Sequence, residues 1–346
     1  MKKLMIVAAA MLSAAALFTG CGKSAKADEF GWYHDYDDAK KVAQKQNKEM
    51  LIFVSMDGDD ENSTTIKEKV FNTKEFAGTI GKKFVPVNLD FSQKSYAKTT
   101  APQGATDKEQ KAADAYAAKL KKDMAVATMY NVKMTPAVYI ATKDGYYVSF
   151  IDYDATLDTA EAYAKMLDDK NAEIKIVNDM VAATKKGSNT EKVKAIDTLY
   201  EATDSSYRPL LADIYRKVPD LDKKNESGLV SKYILATANA DAISLYGAGD
   251  YPAAAKKFAD AGANAKISKE DKQQAYYTAG YLLGSTGSTD YAAITGYLQS
   301  AYDADPESEH AAMIKQTMEY VKSLMPAPDA SAPADDKKAE TDKKTK

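Results

Sequence analysis

The sequence is nearly free of thiol groups, because its 346 residues include a single cysteine, Cys21. One thiol cannot close an intramolecular disulfide or build a cysteine-rich metal site. Histidine is nearly as scarce, and the two present, His34 and His310, support neither a Ser-His-Asp arrangement nor a two-histidine metal site. No glycine-rich phosphate loop follows any predicted strand. We therefore expect no bound cofactor.

Arginine is the next shortage. The 47 basic residues include only Arg208 and Arg216, and 50 acidic residues bring the formal net charge to −3. A nearly balanced surface argues against nucleic-acid binding, which needs a clustered basic face, and few arginines mean few bidentate phosphate or carboxylate contacts. The chain does have a hydrophobic content of 45%, which is enough for real cores. Its length predicts about two domains.

The first 20 residues have the composition of an export signal. A basic start, MKK, precedes the apolar run LMIVAAAMLSAAALF and two small residues before Cys21. The stretch LFTGC, ending at Cys21, resembles the lipobox of bacterial lipoproteins. That resemblance implies a signal peptide at 1–20, a lipid on Cys21, a tether at 21–29, and a protein anchored to a bacterial membrane outside the cytoplasm. An ordinary secretory signal with an incidental cysteine is the alternative.

Residues 30–170 alternate predicted helices and strands, and we expect an α/β domain. Two apolar runs, at 49–54 and 84–89, predict buried strands, and a Lys-Asp-Gly turn at 143–145 predicts a hairpin. The predicted helices begin near Tyr36 and cover 64–71, 73–82, part of 106–124, and 158–169. This order predicts a mixed sheet with helices on both faces.

Two stretches of this block resemble extracytoplasmic thioredoxin-like domains. The first runs from Trp32 through YDDA at 36–39 to NKEMLIF at 47–53, and the second is YNVKMTPAVYI at 130–140. The resemblance covers most of 30–170 and implies a thioredoxin-like fold. It also implies a cis bond before Pro136, with this proline facing the loop at 57–63.

The sequence departs from that family at the residues that carry its chemistry. The redox positions, Cys-x-x-Cys in the family, fall on Asp60 and Ser63 here. Neither side chain can supply the thiolate that disulfide exchange needs, so the family's oxidoreductase activity is not inherited. The sequence favours a protein that is not an enzyme. A thioredoxin-derived enzyme or chaperone of envelope protein folding, using this loop and Pro136, remains open.

The same loop has a weaker calcium interpretation. Five oxygen-bearing side chains fall at positions 1, 3, 5, 7 and 12 of a calcium-loop register, namely Asp57, Asp59, Glu61, Ser63 and Glu68. Against this, Asn62 replaces the usual glycine at position 6, and a predicted strand rather than a helix precedes Asp57. The simpler alternative is an exposed loop in which Asp60 or Ser63 caps a helix.

Residues 171–325 show helical patterns throughout. Two segments 40 residues apart, 242–261 and 290–301, place small and aromatic residues as tetratricopeptide repeats do and resemble that family. Four earlier helices are expected at 172–186, 190–202, 207–217 and 229–246. The remaining 326–346 are rich in Ala, Pro, Asp and Lys, and we predict a disordered tail.

The chain contains 23 tyrosines, and several cluster in the helical block. Most are expected to pack between helices. A concave groove could instead present Tyr246, Tyr276, Tyr277 and Tyr281 to a partner, because helical repeats bind on that face. The sequence thus favours a membrane-anchored, redox-inactive module that binds a protein or peptide in the cell envelope.

Overall fold

The computed structural model describes residues 26–325. The predicted signal peptide, Cys21 and the predicted tail lie outside them. Four strands are β1 (Glu49–Ser55), β2 (Phe84–Asp90), β3 (Ala137–Ala141) and β4 (Tyr147–Ile151). The helices among and after them are α1 (Tyr36–Gln46), α2 (Glu61–Ile66), α3 (Lys74–Ile80), α4 (Gln93–Ala97), α5 (Asp107–Met129), α6 (Ala160–Asp169), α7 (Asn171–Ala183) and α8 (Asn189–Ala202). Shorter and later helices are α9 (Ala212–Tyr215), α10 (Val218–Leu221), α11 (Val230–Gly247), α12 (Tyr251–Gly262), α13 (Lys269–Ser285), α14 (Tyr291–Ala304) and α15 (Ala311–Ser323).

The sheet has the strand order β2-β1-β3-β4. Strand β1 pairs in parallel with β2, from Glu49 opposite Phe84 to Ser55 opposite Asp90, and antiparallel with β3. Strands β3 and β4 form the predicted hairpin. The parallel pair is buried along nearly its whole length, which explains its mostly apolar sequence. The mixed sheet predicted from the sequence is confirmed, and the fold of this region is thioredoxin-like.

Two hydrophobic layers cover the sheet. One is aromatic: the rings of Trp32, Phe53, Phe71 and Phe76 lie within 6.0 Å of a neighbour, and the Trp32 indole N–H donates to the carbonyl of Phe71 at 3.2 Å. The opposite layer places α1 and the buried Tyr130 on the other face. Helices cover both faces of the sheet, as predicted.

The C-terminal region is helical, as predicted. The prediction of a single helix at 207–217 is wrong. The chain instead makes a 3₁₀ turn, Arg208–Leu211, followed by α9. Pro209 enters the first turn, and Pro219 opens the separate helix α10, because proline is tolerated in a first turn but interrupts a helix interior. From α11 onward each helix packs on the next, although the tetratricopeptide interpretation stays a prediction.

The helical region packs against the thioredoxin-like region. The Tyr146 hydroxyl donates to Asp213 at 2.8 Å, and the rings of Tyr147 and Tyr207 stack with centroids 3.6 Å apart. Gly247 of α11 lies so close to α5 that a Cβ there would stand 2.5 Å from Oγ1 of Thr128. Within residues 26–325, no helix combines the length and apolar character that crossing a bilayer requires.

Candidate functional site

The loop after β1 is organised by Asp60, which caps helix α2. Its Oδ2 accepts hydrogen bonds from the Ser63 amide at 2.9 Å and from the Ser63 hydroxyl at 2.5 Å. Asp60 and Ser63, the predicted counterparts of the family's redox cysteines, are therefore bonded to each other as cap and helix residue. Ser63 is also fully buried. This geometry stabilises the helix start and provides no thiol.

The carboxylates of the loop point to different partners. Asp57 pairs with Lys67 and also accepts from the Ser55 hydroxyl at 2.6 Å, whereas Asp59 accepts from the backbone amide of Gln93. The residues of the calcium register do not converge, because Glu61 already belongs to helix α2. Within residues 26–325 no group of three or more acidic, histidine or cysteine side chains is arranged to hold a metal ion.

Asp90, at the end of β2, joins this loop to the next one. Its carboxylate accepts from the Asp57 amide at 3.1 Å, from the Ser92 amide and hydroxyl at 2.9 and 3.0 Å, and from the Ser95 hydroxyl at 2.6 Å. Burial raises the pKa of Asp90, but these hydrogen bonds outweigh it and hold the pKa below its usual value. The carboxylate is ionised at neutral pH and has little capacity for a further donor.

A cavity of about 640 Å³ opens over the carboxyl ends of β1 and β2. Its lining is polar and includes Asp57, Lys67, Asn88, Asp90, Lys94, Lys98, Tyr116 and Lys119. The sequence predicted the acidic loop but not the contribution of Lys94 from α4, Lys98 just after it, or Tyr116 and Lys119 from α5. The unusual length of the connection at 91–128 was the available signal, because long insertions next to a strand end often carry function.

Behind this cavity, α5 buries Asp123 beside Lys119. The Asp123 side chain is 3% exposed and forms an ion pair with the Lys119 ammonium. Burial raises the pKa of Asp123 to about 6, and the attraction of Lys119 opposes that rise only in part. Asp123 therefore changes charge between mildly acidic and neutral pH.

The Thr135-Pro136 peptide bond is cis. Ala137 pairs with Val54 at the end of β1, which places Pro136 beside the loop after that strand. An open cavity of about 330 Å³ lies here, lined in part by Met56, Met124 and Thr135. The neighbouring Met134 is 71% exposed.

Two smaller cavities adjoin at the exposed ring of Tyr281. One, of about 290 Å³, lies between α5, α11, α12 and α13 and includes Tyr246, and the other, of about 250 Å³, lies between α13, α14 and α15 and includes Tyr277 and Tyr320. Tyr281 lines both, so we refer to them together as the tyrosine groove. Neither lining contains a charged side chain. Tyr246, Tyr277 and Tyr281 line these cavities, and their part in a binding groove stays a prediction.

Tyr276 differs from the other three predicted groove residues. Its ring packs against Gly262, where an added Cβ would stand 2.9 Å from a ring carbon. The ring fills the space that the absent glycine side chain leaves between α12 and α13. Tyr276 is therefore a packing residue of the helix interface.

Comparisons with known proteins follow the two-part architecture. A family model described as a thioredoxin-like domain matches residues 36–171, and one described as an uncharacterised protein C-terminal domain matches 229–325. No curated protein matches the chain. A solved structure described as a DsbH oxidoreductase aligns over 46% of this chain and 96% of its own, with 13% identity and a TM-score of 0.31.

Proposed function

We propose that this protein is a redox-inactive, thioredoxin-like lipoprotein of the cell envelope that binds a protein or peptide through the tyrosine groove. The observation that carries this proposal is an uncharged groove with exposed aromatic rings in a chain whose residues are 28% charged. Tyr281 is 65% and Tyr246 is 47% exposed, so both rings are available to a partner. Exposed tyrosine is favoured at binding surfaces because it offers a large apolar area and a polar tip.

The groove favours an apolar segment of the partner. Ile294 and Leu298 lie below the rings of Tyr277, Tyr281 and the neighbouring tyrosines, and no lining side chain offers an ion pair to a charged ligand. A peptide that inserts aliphatic or aromatic side chains would bury this surface and leave its charged residues at the rim.

The groove is tested by site-specific photo-crosslinking of the full chain in its native envelope. A photoreactive residue at Tyr281 should crosslink to a defined partner, and Tyr246→Ala in the same chain should reduce that product. The control carries the photoreactive residue at Ile176, which is 59% exposed and lines none of the cavities described above. Equal crosslinking from both positions, or no effect of Tyr246→Ala, would reject the groove as the binding site.

Redox inactivity has a separate test. Asp60 and Ser63 occupy the redox positions, and the one thiol of the chain is Cys21, which we propose is lipidated. The purified protein should not reduce insulin, and the Cys21→Ser variant should give the same baseline. Labelling with radioactive palmitate should depend on Cys21. With dithiothreitol as the electron donor, reduction of insulin faster than by dithiothreitol alone would contradict the proposal.

A second candidate function is a chaperone surface beside Pro136. Met134 and Met124 are 71% and 40% exposed there, and flexible methionine side chains suit contacts with many apolar sequences. This function predicts that the protein suppresses aggregation of an unfolded client and that Met134→Lys weakens the suppression. Suppression that disappears with Tyr281→Ala instead would assign it to the groove.

A further inference from the structure

The polar cavity over β1 and β2 has no role in peptide binding by the tyrosine groove. Its volume of about 640 Å³ lies in the range of small-molecule sites, about 300–1,000 Å³. Its position agrees with a general rule for open α/β sheets, in which ligands bind in the crevice outside the carboxyl ends of the strands.

The charges around this cavity are only partly compensated. Lys67 pairs with Asp57, and Lys119 pairs with the buried Asp123. Asp90 is saturated by the hydroxyl and amide donors described above. Two further lining lysines, Lys94 and Lys98, have no carboxylate partner among the described residues. Glu68 and Asp90 are the lining carboxylates without a cationic partner there, and Asp90 faces neutral donors instead. Lys94 and Lys98 are therefore the lining cations left without an ion pair.

Asn88 adds a polar group to the same lining. The residue is 3% exposed and lines the cavity, and its Oδ1 lies 3.0 Å from the Ser55 hydroxyl, which also donates to Asp57. Its Nδ2 group is accessible from the cavity, and an amide nitrogen can donate to an acceptor there.

Tyr116 provides one wall. The ammonium groups of Lys98 and Lys119 stand 5.2 and 5.6 Å from the centre of its ring, so the cations are gathered at an aromatic face. The ring gives the carbon skeleton of a ligand an apolar surface next to the cations.

We propose that this cavity binds a small organic anion whose phosphate or carboxylate group lies among Lys94, Lys98 and the Nδ2 group of Asn88. Lysine binds such groups as a point charge and does not need the fork geometry of arginine. Both arginines of the chain belong to the helical region, so lysine carries anion recognition here.

Isothermal titration of the full chain at constant ionic strength tests the proposal. The probes are glucose 6-phosphate for the phosphate source, succinate for the carboxylate source, and choline as the cationic control. At least one anion should bind and choline should not, and the stronger anion identifies the source. Lys98→Gln should weaken binding of that anion about fivefold, whereas Lys111→Gln, on the exposed surface of α5, should leave the affinity unchanged.

Two more variants test whether negative charge in the cavity weakens anion binding, as the proposal requires. Glu68→Gln removes the opposing carboxylate and should tighten anion binding. Asn88→Asp keeps the size of the side chain but replaces the donor with a negative charge, and it should abolish binding while thermal unfolding reports whether the variant folds. Absence of heat with both anions at about 10 mM, or equal affinities for Lys98→Gln and Lys111→Gln, would overturn the proposal.

Discussion

The thioredoxin-like region and the last five helices use aromatic side chains in opposite ways. In the first, rings such as Trp32, Phe71 and Tyr163 are at most 2% exposed and fill the space between sheet and helices. In the second, alanines such as Ala255, Ala279 and Ala301 are buried, and tyrosines stand at the surface. Bulky rings stabilise one region, whereas small residues bring helices together in the other and leave its rings available for contact.

The largest expected effect is on the aromatic layer. Phe71→Ala should lower the free energy of unfolding of the thioredoxin-like region by about 3–5 kcal/mol, because it removes a fully buried ring and leaves a cavity among four others. Denaturant unfolding followed by the fluorescence of Trp32, the only tryptophan, measures it. A loss under about 1 kcal/mol would show that the layer collapses around the gap.

The buried carboxylate of Asp123 should have the next largest effect on stability, and this effect should depend on pH. The pKa of Asp123 is raised from 3.8 to about 6 in the folded protein, so the folded state binds a proton that the unfolded state has released between these values. Ionised Asp123 therefore costs stability, fully above pH 6 and not at all below pH 4. Asp123→Asn should stabilise the protein by about 2 kcal/mol at pH 7.5.

The advantage of Asp123→Asn should shrink as the pH falls through 6 and vanish near 4. Thermal unfolding of both proteins across this range gives the comparison. The exposed Asp114 of the same helix supplies the control, since Asp114→Asn should show no such trend. A stability difference that does not change with pH would contradict the buried titration.

The role of small residues in packing the helical region can be tested by comparing substitutions at two glycines. Gly262→Ala places a Cβ 2.9 Å from the Tyr276 ring and should destabilise the region by about 1–2 kcal/mol. Gly296→Ala, within α14, meets nothing within 4 Å and should stabilise it by about 0.5–1 kcal/mol. Thermal unfolding that shifts in the same direction for both variants would refute the packing argument.

The cap that Asp60 forms on helix α2 should contribute less to the free energy of unfolding. Asp60→Ala removes both hydrogen bonds to Ser63 and should cost about 1 kcal/mol. Asp60→Asn retains an acceptor and should recover most of that loss in the same unfolding assay. If Asp60→Ala were neutral, the capping role of this carboxylate would be wrong.

The smallest stability effect belongs to an exposed ring. Tyr281→Ala should change the free energy of unfolding by less than about 0.5 kcal/mol, since 65% of the residue is exposed, yet it should reduce partner crosslinking. Comparison with Phe71→Ala distinguishes an aromatic side chain that stabilises the fold from one that contacts a ligand. A large loss of stability would place Tyr281 in the first class.

The sequence predicted what depends on local pattern. The apolar strands, the mixed sheet, the position of α11 and the helix within 91–128 all follow from periodicity and turn residues. It did not predict that this helix, α5, would pack against Gly247 of α11, because periodicity identifies an apolar face but not its partner. The anion pocket was missed for a related reason: exposed Lys94 and Lys98 have no pattern, and their proximity to Asn88 exists only once the strands pair.

Helix α5 takes part in both candidate sites. Tyr116 and Lys119 line the anion cavity, and Thr128, about 14 Å farther along the same rigid rod, lines the tyrosine groove beside Gly247. A ligand that displaced this helix at one end would alter the walls of the pocket at the other. Thermodynamic linkage requires any such coupling to be reciprocal, so each occupant would then change the affinity for the other by the same factor.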